Sequence, residues 1–194
     1  MKEEKIKNDL GKRSIGKWAL IIIFLIVVIL FLLFDLFLAR GVWDRQIDDY
    51  SSQIECDSRF VDKSETLMVI PLFNNVSIAE NKTWCKQTLA LNKTLGMHGV
   101  YHNYQEFLEP RSEEYIQVGM EEFKKCFGYY PTLFEAPHLA LGSENKQTLF
   151  KMGFEIRNWG YTLTHKVYHC QDKGIFATRI TSNFNLTNNF IDKI

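Results

Sequence analysis

At 194 residues, 46% hydrophobic and 24% charged, with 11 glycines and 4 prolines, the chain has an ordinary globular composition, which excludes disordered, collagen-like and low-complexity classes. Lysine plus arginine equals aspartate plus glutamate at 23 each, so no basic excess marks a nucleic-acid surface and no acidic block marks a solvating tail.

In chain order, the first feature is a run of 17 residues from Trp18 to Phe34 without a charge, resuming after Asp35 as Leu36-Phe37-Leu38-Ala39. A bilayer core takes about 20 apolar residues as a helix, so residues 18–39 are expected to be a transmembrane anchor contacting lipid. A cleaved secretory signal is the rival. Its apolar region is usually shorter and ends in small residues, which Phe37-Leu38-Ala39 match poorly. Lys2, Lys5, Lys7, Lys12, Arg13 and Lys17 precede the span against Glu3, Glu4 and Asp9, whereas only Arg40 and Arg45 follow closely. Positive flanks stay cytoplasmic, so residues 1–17 are expected inside and residues 40–194 outside. The sequons at Asn75, Asn81, Asn92 and Asn185 and the four cysteines, Cys56, Cys85, Cys126 and Cys170, all lie beyond the span. Four cysteines allow three pairings, among which sequence does not choose, and four buried free thiols are the bland alternative.

The 155 residues from Arg40 suffice for one domain. Leu67 to Phe73, bounded by Pro71 and Asn74-Asn75, reads as a buried strand ending near Pro71. Ala79 to Leu95 carries apolar residues at helical intervals with Gly96 as a stop, and Met97 to Val100 follows as a strand. Ser112 to Phe127 is a helix opened by Ser112-Glu-Glu and closed by Gly128. Pro131 to Pro137 reads as strand, and Ser143 to Met152 as helix with Ser143 as its cap. Phe154 to Trp159, Thr162 to Cys170 and Ile175 to Ile180 read as further strands. The alternation implies βαβ units and a largely parallel sheet, open or partly closed into a barrel.

Four of the five histidines pair at a spacing of four, His98/His102 and His165/His169. Residues four apart share a face in a helix and in a strand, so each pair can aim two imidazoles at one metal. A catalytic metal site usually takes three protein ligands, and Asp48-Asp49 can supply the carboxylate if both reach the rim at a strand's end. Two solvated aspartates in a loop after the span are the plain alternative. No glycine-rich phosphate loop and no nucleophile elbow occur. The many tyrosines around these motifs suit stacking on sugar rings and suit a core equally.

Ile47-Asp48-Asp49, Gly96-Met-His-Gly-Val-Tyr-His102, Phe134-Glu-Ala-Pro-His138 and His165-Lys-Val-Tyr-His-Cys170 resemble the successive motifs of the NodB-type polysaccharide deacetylases, in particular an uncharacterised, often membrane-anchored branch. The resemblance runs from about Arg45 to Phe176. It implies a distorted, incomplete (β/α) barrel and metal-dependent removal of acetyl groups from N-acetylated sugars. Asp49, His98 and His102 would hold a divalent metal, zinc by preference, and Asp48 would be the general base. His169, or else His165, would be the general acid, while Tyr101, Glu135, Pro137 and His138 would lie against the glycan. One departure stands out: the family's arginine, which holds the base aspartate, aligns with Glu135; either Glu135 is itself a new acid or a metal ligand, or Arg157 from the next strand replaces the lost cation. Loss of that cation favours a rival reading as an anchored glycan-binding module without activity. A third reading is a structural zinc site built from the paired histidines with Cys170 or Asp172.

Overall fold

The computed structural model describes residues 2–171, which form two compact units divided after Arg40. The first unit is helical. Helix α1 spans Lys2–Val42 and contains Trp18–Leu38, 21 residues long and apolar enough to cross a bilayer, whose apolar side chains are exposed.

The second unit is a six-stranded, all-parallel sheet in the order β5-β4-β3-β2-β1-β6. The strands are β1 (Arg45–Tyr50), β2 (Thr66–Val69), β3 (Thr94–His98), β4 (Leu133–Glu135), β5 (Glu155–Arg157) and β6 (Lys166–His169). Helices α2 (Ser58–Lys63), α3 (Lys82–Ala90), α4 (Glu113–Phe127), α5 (Ser143–Lys151) and α6 (Trp159–Thr164) make the crossovers. The sheet is the distorted, incomplete (β/α) barrel that the motifs imply. The strand expected at Ile175–Ile180, Asp172 and the Asn185 sequon lie outside the described residues.

Strand periodicity divides the sheet into two chemically different faces. Ile47, Leu67, Val69, Leu95, Met97, Phe134 and Tyr168 are buried among Phe60, Phe123, Ile116, Leu149 and their neighbours from the helices and loops. The alternate residues, Gln46, Asp48, Thr66, His98 and Glu135, are equally buried but polar. Polar side chains withdrawn from water need partners, so these five must be held by hydrogen bonds or ion pairs, beside the apolar Met68 and Val167 that share their face.

Several boundaries differ from the sequence reading. The expected helix from Ala79 to Leu95 resolves into a 3-10 turn at Ile78–Glu80, α3 capped by the Asn81 side chain, and the start of β3. Gly96 is therefore a strand residue, not a helix stop. A Cβ there would lie 2.6 Å from Met68 Sδ on β2, so close strand packing explains the glycine. Residues 159–164 form α6 rather than strand, with the Asn158 side chain accepting from the Gly160 N–H. Ser143 is the first residue of α5, and Gly142 occupies the cap position without a side-chain bond. Ser112 and Gly128 bracket α4 as expected, the serine accepting from Tyr115 N–H and the glycine closing the helix at φ 87°.

The cysteines pair as Cys56–Cys170 and Cys85–Cys126, so none of the four is a free thiol. The second bridge ties α3 to α4 over the apolar face. Replacing Cys85 and Cys126 together by serine is expected to lower stability by about 2–4 kcal/mol, readable as a shifted urea midpoint.

Candidate metal centre

The site forms where the strands end. Asp48 faces His169 across the β1–β6 register, and His98 faces Glu135 across β3–β4, which places four motif residues toward the carboxyl ends of their strands. Asp49 reaches the same rim through a bulge. Ile47 pairs with Leu67 but Tyr50 pairs with Val69, leaving one extra residue on β1, and Asp49 takes a left-handed φ of 60°. The bulge, not merely a strand's end, lets two adjacent aspartates serve one site.

Asp49 Oδ1 lies 2.8 Å from His102 Nε2 and 3.5 Å from His98 Nε2. No hydrogen bond of proper alignment satisfies Asp49 Oδ1, although the atom is buried. Two imidazole nitrogens and a carboxylate oxygen converging in this way are a three-ligand donor set for a divalent cation, and they fit zinc. Burial opposes the charge on Asp49. The close approach of the His102 and His98 imidazoles outweighs it and holds the carboxyl far below the usual range.

Asp48 is the opposite case. Its carboxyl is pushed well above the usual range, first by burial, then by the neighbouring charges of Glu135 and Asp49. The Gln46 amide holds this pair: its Nε2 donates to Asp48 Oδ1 at 2.5 Å and to Glu135 Oε2 at 2.9 Å. Arg157 Nη1 donates to Gln46 Oε1, and Nη2 donates to Thr66 Oγ1 at 3.3 Å. With its oxygen engaged by the guanidinium, the amide must turn both N–H bonds toward the two acids. Arg157 makes no direct ion pair with Asp48 or Glu135 among the described residues; its hydrogen-bonded link to the two acids runs through Gln46. Gln46 was missed in the sequence. The one signal for it was its even spacing from Asp48 on a strand.

The remaining candidates separate. His169 stands beside Asp48, Nε2 to Oδ2 3.9 Å, and is partly exposed. His138 packs near His102 and the exposed Tyr104, with ring centroids 5.7 and 5.2 Å apart. Pro137 is buried in a 3-10 turn beside Gly99, and Tyr101 packs on Tyr115, which leaves it half-buried. His165 is placed elsewhere. It precedes β6 at the amino end of the sheet, stacked on Tyr161 at 3.7 Å and near Trp43, so a strand's length separates it from the rim. The reading of the histidine pairs as one structural zinc site fails on the same geometry, and Cys170 is engaged in its disulfide.

No family model matches the chain, and no curated protein matches it. Solved structures do. A polysaccharide deacetylase from Bacillus cereus aligns at 13% identity and a TM-score of 0.49, over 65% of this chain and 76% of that one. A family 4 carbohydrate esterase from Streptomyces lividans aligns at 13% identity and 0.44, over 60% and 61%. A CE4 family pseudoenzyme from Bacillus anthracis also aligns, at 11% identity and 0.46, over 65% of this chain and 53% of its own. The chain thus spans under two thirds of the length of two of these three proteins.

Proposed function

We propose that the chain is a membrane-anchored, metal-dependent hydrolase that removes acetyl groups from N-acetylated sugars of envelope or surface polysaccharide. The observation that carries this reading is the convergence of Asp49 Oδ1 with the Nε2 atoms of His98 and His102, beside a second, buried carboxyl on Asp48. A divalent ion held there, zinc by preference, supplies a Lewis acid for the amide carbonyl and lowers the pKa of water toward neutrality.

The chain's own groups do the rest. Asp48, made more basic by burial and by Glu135, takes the proton of the attacking water. His169, partly exposed beside it, gives a proton to the departing amine as the C–N bond breaks and acetate leaves. The Gln46–Arg157 pair fixes the direction of the Asp48 carboxyl. Tyr104, His138 and Tyr101 edge the rim on which a sugar would lie.

In this proposal residues 1–17 are cytoplasmic, 18–39 are the anchor and 40–194 the extracytoplasmic catalytic domain. The cation excess before the span supports that orientation, and two disulfides suit an oxidising compartment.

The second reading is a glycan-binding module of the same fold that does not cleave. Glu135 favours it, because a second buried carboxyl stands beside Asp48 where the resemblance places a cation. Acetate release from N-acetylglucosamine oligomers by the full-length chain separates the two. Release that is abolished by a chelator and restored by zinc is expected. Oligomer binding without release, with zinc present, makes the module the better description.

A further inference from the structure

Glu106 is fully buried, and the proposed reaction makes no use of it. Its carboxylate accepts the Val100 N–H at 3.2 Å on both oxygens, the Tyr101 N–H at 2.9 Å on Oε1 and the His102 N–H at 3.0 Å on Oε2. The Tyr115 hydroxyl, from α4, donates to Oε1 at 2.6 Å. Three successive backbone N–H groups turned toward one carboxylate form an anion nest, here filled by a side chain of the same loop. The backbone pays for this shape at Gly99 and His102, which take left-handed φ values of 68° and 61°. A Cβ on Gly99 would lie 2.4 Å from Glu106 Oε2, so the same carboxylate accounts for the glycine between His98 and Val100.

We propose that Glu106 is a positioning residue for the metal centre: it fixes the path of residues 99–102 so that His102, at the end of that path, meets Asp49 together with His98. The inference rests on the reading of Asp49, His98 and His102 as metal ligands. Its physical basis is that every N–H between the two histidines after Gly99 ends on this one carboxylate. Without the carboxylate, three backbone donors lose their acceptor, and the His102 N–H, at the left-handed residue itself, is one of them. Groups that orient metal ligands typically change affinity by about 10–100-fold when removed.

The test is the zinc affinity of the full-length chain, measured by competition with a chromogenic chelator, beside the melting temperature of the metal-free protein. Glu106→Gln keeps size but offers one acceptor in place of two, and is expected to weaken zinc binding by about 10–100-fold. Asn145→Ala is the control. Asn145 is also buried and holds the chain just after Glu106, donating to Phe107 O at 2.6 Å and Glu109 O at 2.8 Å and accepting from Arg111 N–H at 2.7 Å, and none of these bonds reaches residues 98–102. That variant is expected to melt earlier while binding zinc as wild type does.

Wild-type affinity in Glu106→Gln overturns the inference, and so does an equal loss in Asn145→Ala, which would make the effect one of general stability. If Glu106→Gln does not fold, Tyr115→Phe removes only the hydroxyl donor. A weaker zinc affinity in it supports the inference, and an unchanged one overturns it. A wild-type chain that binds no zinc overturns the proposed function first and this inference with it, whereas bound zinc unaffected by these variants overturns only the role of Glu106.

Discussion

Asp49→Asn is expected to purify without metal where wild type holds about one ion per chain, and to release no acetate at any zinc concentration that supports wild type. Asparagine tolerates the left-handed φ of 60° that the bulge imposes, so the fold is kept and only the charge is lost. Asp49→Ala adds backbone strain of about 1–2 kcal/mol to the same loss, and the pair of variants separates conformation from ligation. Elemental analysis and circular dichroism on the same samples read both. Zinc retained in Asp49→Asn would remove the metal centre from the proposal.

A pH dependence follows in chelated protein. The folded Asp49 carboxyl is held below its ordinary value, against burial, by His102 and His98. Its contribution to stability is therefore complete above the usual carboxylate range and is lost as pH falls through the folded value. The stability gap between wild type and Asp49→Asn should begin to close below the usual carboxylate range and vanish only in strong acid.

The parts of this site that were legible in the sequence are those carried by spacing. His98 and His102 share one end of one strand and its loop, so their distance is set locally and four residues suffice to announce it. The Asp48-Asp49 pair was legible as a candidate. The means by which both reach the rim was not, because a bulge depends on the register against β2 rather than on β1 alone. The α3 region misled because Leu95 and Gly96 extend the helical rhythm into a strand, and only the packing of Met68 against Gly96 reveals what the glycine is for.

His165 and His169 illustrate the opposite failure. Their spacing copies that of the first pair, but a helix ends just before His165 and a strand begins just after it, so the two rings are separated along the strand instead of converging. Gln46 and Arg157 are 111 residues apart, a distance at which no local pattern connects them. Long-range hydrogen bonds on the polar face are where the reading of sequence ended.

Asp48→Asn is the variant that isolates the proposed general base, and it is expected to lower turnover by about 10²–10⁴-fold while zinc stays bound. Asparagine preserves the shape and can still accept from Gln46 Nε2, but it cannot take a proton from water. Stability should move the other way. The wild-type carboxyl is raised by burial and by Glu135, so the folded chain binds this proton more readily than the unfolded chain. Stability from this group is therefore full below the unfolded carboxylate value and lost as pH rises through the folded one. Asparagine has nothing to ionise. In chelated protein Asp48→Asn should accordingly melt later than wild type at neutral pH, with the difference shrinking on acidification toward the ordinary carboxylate range. Glu135→Gln should show part of the same gain, because it removes the second cause of the shift, the charge of Glu135. With zinc restored the gain should narrow, since the ion's own charge compensates the buried carboxylates. Turnover in Asp48→Asn equal to wild type would exclude the base, and identical pH profiles of melting would show that Asp48 does not carry the cost of its burial.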